Sequence, residues 1–144
     1  MNKIINFYGE ETGINELILK DFNVKYRLED KGNFYKIIKR SKNISLKKEL
    51  IRNNGIIIFY SPNCTKCKES IDFWTEIAIN NFYNFSIYAV NCDNLVDNND
   101  YLLPLLKIEY YPSYYSFDKE KGIVNKLDVK TNLEDILFYI SNNS

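Results

Sequence analysis

The sequence of 144 residues contains no histidine, and this absence excludes several kinds of chemistry. Imidazole acid–base catalysis and cysteine–histidine dyads both need a side chain that the chain does not have. A tetrahedral zinc site would have to combine all three cysteines with a carboxylate, whereas such sites ordinarily use paired cysteine or histidine ligands. We therefore expect no metal site.

Long apolar runs and an excess of one charge are missing as well. Residues 1–8 contain no apolar run of signal-peptide length, and no stretch is long enough to span a bilayer. Lys and Arg total 19, Asp and Glu total 19, and no block of like charges indicates a nucleic-acid or membrane surface. We expect a cytoplasmic protein with no nucleic-acid or membrane partner. The abundance of residues with A/T-rich codons suits an AT-rich genome, such as that of a virus or an intracellular parasite.

A buried strand followed directly by a helix is the most informative feature of the chain. Residues 56–60 are all apolar, which is typical of a strand covered on both faces, and Pro62 then ends strand pairing because it has no N–H. Apolar residues next recur at helical spacing, at Cys67, Ile71, Trp74 and Ala78. This pattern predicts that Cys64 lies where the helix begins and that Cys67 begins its buried face.

Two cysteines one helical turn apart at a helix N-terminus are suited to thiol–disulfide exchange. Unpaired backbone N–H groups and the positive end of the helix dipole favour a thiolate at Cys64. The second thiol, Cys67, can attack a mixed disulfide formed at the first. In a cytosolic protein such a pair is more often catalytic than structural. We therefore predict that Cys64 is the nucleophile and Cys67 the resolving thiol.

The rest of the chain predicts a mixed sheet covered by helices. The predicted strands are residues 23–28, 34–39, 56–60, 85–90, 110–117 and 123–129. The predicted helices are residues 11–20, residues 46–52, the helix after Cys64, residues 100–107 with an interruption at Pro104, and a last helix after a capping box at Thr131 and Glu134. We expect residues 1–32 to be an N-terminal extension that packs on a domain of residues 33–144.

Two segments of this sequence resemble the thioredoxin superfamily, and within it the protein disulfide isomerase branch. Residues 59–68, FYSPNCTKCK, are similar to the FYAPWCGHCK of that branch, and Tyr111-Pro112-Ser113 looks like its Tyr-Pro-Thr segment. The resemblance covers roughly residues 34–141. It implies an α/β, thioredoxin-like fold with a mixed central sheet of four to five strands flanked by helices. It also implies that Pro112 is cis, lies against the cysteines, and leaves the backbone of Tyr111 free to pair with a substrate.

The chain departs from the family pattern at three places. Asn63 stands where the family has a tryptophan; it is suited to cap the helix and to contact substrates, but offers no aromatic platform. The family's buried carboxylate and its partner lysine are replaced by Ile58 and Ala89, so Cys67 lacks the usual proton acceptor unless water or another carboxylate substitutes. Asp72 replaces the proline that kinks the family's helix, which predicts a straighter helix here.

Lys66 and Cys92 each allow two interpretations. Lys66 falls where the isomerases carry histidine, and a cation there would stabilise the Cys64 thiolate and make the disulfide more oxidising. The alternative is a solvated lysine that contributes little. Cys92 follows a predicted strand, and we expect an inert core thiol; a third redox centre is the alternative.

The leading functional hypothesis is a monomeric thiol–disulfide oxidoreductase without a bound cofactor. It would exchange disulfides with protein substrates and be served by an upstream reductase or oxidase. The second hypothesis is a redox-silent adaptor that binds a protein partner through the cis-proline groove; the missing tryptophan, carboxylate and lysine favour it, and the intact CxxC opposes it. The third hypothesis is a glutathione-dependent enzyme. It ranks last because no glutathione-binding signature is evident around Gly122.

Overall fold

The computed structural model describes residues 7–24, 26–30, 32, 35–40, 44–80, 84–94, 102–127 and 133–144. The strands are β1 (Asn15–Leu17), β2 (Phe22–Asn23), β3 (Tyr26–Asp30), β4 (Tyr35–Arg40), β5 (Ser45–Leu46), β6 (Gly55–Tyr60), β7 (Ser86–Asn91), β8 (Ser113–Phe117) and β9 (Val124–Lys126). The helices are α1 (Thr65–Glu69), α2 (Ile71–Ile79), α3 (Leu102–Leu106) and α4 (Leu133–Asn142). The predicted capping residue Thr131 lies outside the described residues.

A five-stranded mixed sheet organises the fold, with the strand order β1-β7-β6-β8-β9. β1 and β6 each run parallel to β7, whereas β8 runs antiparallel to both β6 and β9. β2 pairs with β5, and β3 with β4, in two antiparallel ribbons. The predicted α/β architecture with a mixed sheet flanked by helices is confirmed. β1 falls within the predicted N-terminal extension and is nevertheless an edge strand of this sheet; a domain boundary at residue 32 stays a prediction.

Every residue of β6 is buried, as the apolar run predicts. Because successive side chains of a strand point to opposite faces, β6 contributes to two core layers. Ile56, Ile58 and Tyr60 pack with Trp74 and Ile77 of α2 and with Ile136 and Ile140 of α4. Ile57 and Phe59 pack on the other face with Leu102 and Leu106 of α3. The end of β6, from which the two cysteines follow, is therefore held from both sides.

Two predicted helices in the first third of the chain were wrong. Residues 11–20 hold the end of the 3₁₀ turn Glu10–Thr12, then β1, then most of the 3₁₀ turn Leu19–Asp21. Residues 46–52 hold the end of β5 and the 3₁₀ turn Lys48–Leu50. The apolar spacing of residues 14, 17 and 18 fits a helix. In the structure these residues instead lie in the edge strand β1 and directly on either side of it. Long-range pairing has overridden the local pattern.

The helix after Cys64 is interrupted at Ser70, so the expectation of a straighter helix was wrong. The Ser70 hydroxyl donates to the Cys67 carbonyl at 2.8 Å, and the backbone at Ser70 has φ −84° and ψ −4°. A serine that bonds back to the preceding turn bends a helix. Pro104, by contrast, lies in the first turn of α3, where a missing N–H costs nothing. No helix of the described residues is long and apolar enough to cross a membrane.

Candidate active site

Cys64 is the N-cap residue of α1 and is partly exposed. Its Sγ accepts a hydrogen bond from the Cys67 backbone N–H at 3.2 Å. The Cys64 backbone N–H donates to the Ser61 carbonyl at 3.1 Å, which closes the turn between β6 and α1. The sulfur of Cys64 therefore faces both solvent and a backbone donor at the helix start. Since Cys64 itself is the cap, the expected capping by Asn63 was wrong.

Cys67 lies one turn further along α1 and is completely buried. Burial raises its pKa to about 12, and the hydrogen bond with Cys64 contributes in the same direction. At neutral pH Cys67 therefore holds its proton. The two positions differ as a nucleophile and a resolving thiol would: Cys64 is reachable from solvent and Cys67 is behind it.

The Tyr111–Pro112 peptide bond lies against Cys64 and is cis, the geometry that the resemblance implies. The carbonyl of Tyr111 accepts a hydrogen bond from the Cys64 thiol at 3.5 Å. The Ser113 hydroxyl donates to the Tyr110 carbonyl at 2.6 Å and so closes the turn that leads into β8. The structure thus brings Cys64, Cys67, Tyr111 and Pro112 together, although the two segments are far apart in the sequence.

Asn63 and Lys66 are both exposed beside Cys64, the first in the turn before α1 and the second within α1. The Ser61 hydroxyl, in the same turn, donates to Asp93 Oδ1 at 2.9 Å and ties this turn to the end of β7. The roles predicted for Asn63 in substrate binding and for Lys66 in tuning the thiolate stay predictions.

Cys92 is buried directly after β7 and its side chain interacts with that of Tyr111. Burial raises the pKa of Cys92 to about 12, although the interaction with Tyr111 opposes the shift. The pKa of Tyr111 is also raised to about 12, first by burial and then by Cys92. A thiol held in this protonated form agrees with an inert core residue that supports the ring of Tyr111.

The sequence interpretation missed a partly buried polar cluster behind Cys67. Its members are Tyr8 before β1, Glu16 in β1, Tyr60 in β6, Ser70 between α1 and α2, and Tyr114 in β8. The Trp74 indole N–H donates to the Tyr114 hydroxyl at 3.4 Å, which anchors α2 to this cluster. The cluster depends on β1 being a strand, and no local signal in the sequence indicates that.

A metal site would need several clustered ligands. Within the ranges that the structure describes, no group of at least three His, Cys, Asp or Glu side chains is placed to hold an ion. The expectation that the chain uses no metal and no cofactor stays a prediction.

A mixed sheet with a dithiol pair at a helix start and a cis X–Pro bond beside it defines a thioredoxin fold. The thioredoxin family model matches residues 31–142. The chain belongs to the thioredoxin family. No curated protein matches the sequence.

Several solved structures share the fold. The J-Trx1 fragment of ERdj5 is 24% identical, with a TM-score of 0.51 over 62% of this chain and 41% of that one. The first thioredoxin domain of mouse protein disulfide-isomerase A4 is 18% identical, with a TM-score of 0.51 over 63% of each chain. A chain of the ferredoxin:thioredoxin reductase–thioredoxin f2 complex is 14% identical, with a TM-score of 0.54 over 91% of this chain and 94% of that one. The chain thus spans less than two thirds of the first two structures, and identities this low establish the fold alone.

Proposed function

We propose that this protein is a thiol–disulfide oxidoreductase that exchanges disulfides with protein substrates through Cys64 and Cys67. The observation that carries the proposal is the asymmetry of the pair, with Cys64 open to solvent at a helix start and Cys67 buried behind it. Membership of the thioredoxin family supports it. The proposal includes a cytoplasmic, monomeric protein that needs no cofactor.

The reaction proceeds in two exchanges. The Cys64 thiolate attacks one sulfur of a substrate disulfide, forms a mixed disulfide and releases the first substrate thiolate, which takes up a proton. Cys67 then loses its proton and attacks Cys64 Sγ, which forms the Cys64–Cys67 disulfide and releases the second substrate thiol. The substrate gains two electrons and the pair loses two. An upstream dithiol reductase restores the pair; an oxidase in its place drives the reverse direction.

The substrate would dock across the Tyr111–Pro112 peptide and the turn that contains Asn63. The Tyr111 carbonyl already lies within hydrogen-bonding distance of Cys64 Sγ, so a chain that passes this peptide brings its sulfur to the nucleophile. Lys66, exposed in the first turn of α1, is proposed to stabilise the Cys64 thiolate.

The test is reduction of a fluorescently labelled model protein disulfide by the purified protein, with dithiothreitol as the terminal reductant. We expect Cys64→Ser to abolish turnover. In a parallel incubation without dithiothreitol, Cys67→Ser should accumulate mixed disulfides visible on non-reducing gels. Cys92→Ala is the matched control, because it removes a buried thiol outside the pair, and it should retain turnover. Equal turnover in wild type and Cys64→Ser would overturn the proposal.

The redox-silent adaptor remains the second candidate, and the high pKa of Cys67 favours it because a thiol that rarely ionises resolves slowly. Equilibration in glutathione buffers of graded potential, followed by alkylation and mass measurement, separates the two. A pair that titrates between dithiol and disulfide supports the oxidoreductase. A pair that stays reduced in every buffer supports the adaptor.

A further inference from the structure

Tyr110 is an aromatic side chain that is exposed beside the redox pair. It directly precedes the cis Tyr111–Pro112 peptide, and the Tyr111 carbonyl accepts a hydrogen bond from the Cys64 thiol at 3.5 Å. Neighbouring Cα atoms lie about 3.8 Å apart, so Tyr110 is one residue away from the peptide that contacts the nucleophile. The Tyr110 side chain is 58% exposed. Its ring is therefore accessible to a molecule that docks at Cys64.

The two consecutive tyrosines of this segment have different surroundings. Tyr111 is half-buried, packs against both core layers and interacts with the side chain of Cys92. Tyr110 is exposed, and its ring lies under the ammonium group of Lys126. The first tyrosine anchors the segment to the core, and the second presents an aromatic surface to solvent.

The ring of Tyr110 is held in place although it is exposed. The Ser113 hydroxyl donates to the Tyr110 carbonyl at 2.6 Å and fixes the backbone. Lys126 Nζ lies 5.4 Å from the ring centroid, which is within the range of a cation–π contact. Lys126 is itself positioned by β9, where it pairs with Tyr115 of β8. A ring that is ordered before binding loses little conformational freedom when a substrate packs on it.

The position of Tyr110 distinguishes it from the other exposed apolar side chains. Scattered exposed apolar residues are common on protein surfaces and need no function. Phe138 of α4 is 70% exposed, but its neighbour Tyr139 contacts Phe85 just before β7. Cys64 follows the opposite end of the parallel strands β6 and β7. The other large apolar side chains that are exposed in the described part of the chain are Ile79 of α2 and Leu137 of α4.

The alternation of an extended chain indicates which substrate residue can reach Tyr110. When a substrate half-cystine points toward Cys64, the adjacent side chains point away, and those two positions along the chain point toward the protein again. Each residue advances the chain by about 3.3 Å, so such a side chain lies about 7 Å along the surface from the disulfide. An aromatic side chain there can pack offset or edge-on against the Tyr110 ring.

We propose that Tyr110 is a specificity-determining residue that selects extended substrate segments with an aromatic side chain two positions from the half-cystine attacked by Cys64. This inference rests on the proposed function and names the substrate class of the same site. The substrate ring packs on Tyr110 while the half-cystine lies over the Tyr111–Pro112 peptide. Tyr110 acts on binding alone, and the two exchanges proceed through Cys64 and Cys67 as before. Asn63, also exposed beside Cys64, presents an amide and not a ring.

Two symmetrical disulfide peptides test this preference. Each consists of two identical short chains joined through one central cysteine, and the residues two positions before and after the cysteine are phenylalanine in one peptide and serine in the other. Reduced protein reacts with excess peptide in a single turnover that is quenched with acid, and the oxidised pair is counted by mass after alkylation. The dependence of the rate on peptide concentration gives a half-saturation concentration and a limiting rate.

The comparison uses wild type, Tyr110→Ala, Tyr110→Phe and, as the matched control, Phe138→Ala, which removes an exposed ring distant from Cys64. In wild type we expect half-saturation at a concentration about 2–12-fold lower for the phenylalanine peptide, which corresponds to one aromatic pair. Tyr110→Ala should bring this ratio close to one, whereas Tyr110→Phe and Phe138→Ala should keep it. The limiting rates should show no such preference, because the ring acts on binding.

A wild-type ratio of one would overturn the inference, and so would an unchanged ratio in Tyr110→Ala or an equal fall in Phe138→Ala. If Tyr110→Ala fails to fold, Tyr110→Gln decides, because it keeps a long side chain and removes the ring. Reaction of wild type with hydroxyethyl disulfide but with neither peptide would overturn the inference alone. Reaction with none of the three disulfides would instead refute the proposed function.

Discussion

Cys67 should react with an alkylating agent far more slowly in the folded protein than in the unfolded chain. Burial, and next the hydrogen bond with Cys64, raise the pKa of Cys67 from 9.0 to about 12. Because only the thiolate is nucleophilic, the reactive fraction at pH 7 falls from about 10⁻² to about 10⁻⁵, roughly a thousandfold.

Part of this loss is recovered, because a thiolate of higher pKa is a better nucleophile. With a Brønsted coefficient of about 0.4–0.5, three pKa units return a factor of about 15–30, which leaves a net slowing of about 30–60-fold. The zero exposure of Cys67 adds a steric barrier in the same direction. The expected protection is therefore at least about 30-fold.

The assay is iodoacetamide labelling of the reduced protein at pH 7, with and without urea, and assignment of each label by tandem mass spectrometry. Cys92 is an internal control, because it is equally buried and its pKa is also raised to about 12. Both buried thiols should be protected, and Cys64 should label first. Native and urea rates for Cys67 within about fivefold of each other would refute the assignment of a buried, protonated resolving thiol.

Three further predictions concern stability. The folded pKa of Cys92 is raised to about 12 from 9.0. Its stabilising contribution is therefore complete below pH 9 and is lost above it, at up to about 1.4 kcal/mol per pH unit. The urea midpoint of the wild type should fall between pH 9 and 10.5, and that of Cys92→Ala should fall less steeply; an identical slope in the two proteins would contradict this. In Gly55→Ala the new Cβ would lie 2.4 Å from the Ser86 carbonyl oxygen, so we expect a loss of about 1–3 kcal/mol in urea titrations, and an unchanged midpoint would show that the strands can shift. The pKa of Glu16 is raised in the folded protein, so its stabilising contribution is present below its ordinary pKa of 4.5 and is lost as the pH rises through the folded pKa. Glu16→Gln should therefore have a higher melting temperature than wild type at pH 7 but not at pH 4. A lower melting temperature of Glu16→Gln at pH 7 would count against a desolvated carboxylate.

The part of the fold that the sequence predicts best is the part whose signal is local. The apolar run of β6 spans one strand, and the helical spacing after Cys64 spans only a few turns of helix. The periodicity of apolar residues alone is therefore sufficient to predict both elements. The pairing of the Tyr111–Pro112 segment with the cysteines came from the resemblance, and the structure brings the Tyr111 carbonyl to Cys64 Sγ. The two core layers follow from the alternation along β6.

The misses have a common physical cause, which is that partners distant in the sequence decide the local conformation. β1 is three residues long and pairs with β7, about seventy residues later, so neither its length nor its spacing marks it as a strand. The break at Ser70 depends on one hydroxyl that bonds to the preceding turn. Periodicity records which face of a segment is apolar, and it does not record such bonds.

The position of the Glu16 carboxylate at the sheet edge has a consequence for stability. A charged pair at positions 58 and 89 would be fully desolvated, and burying such a pair costs free energy that its attraction only partly offsets. Ile58 and Ala89 avoid this cost, and both are completely buried. Glu16 at the edge strand is less enclosed and needs no lysine, because hydroxyl and backbone donors hold it. The chain thus combines an apolar sheet centre at Ile58 and Ala89 with a carboxylate at the edge of the sheet.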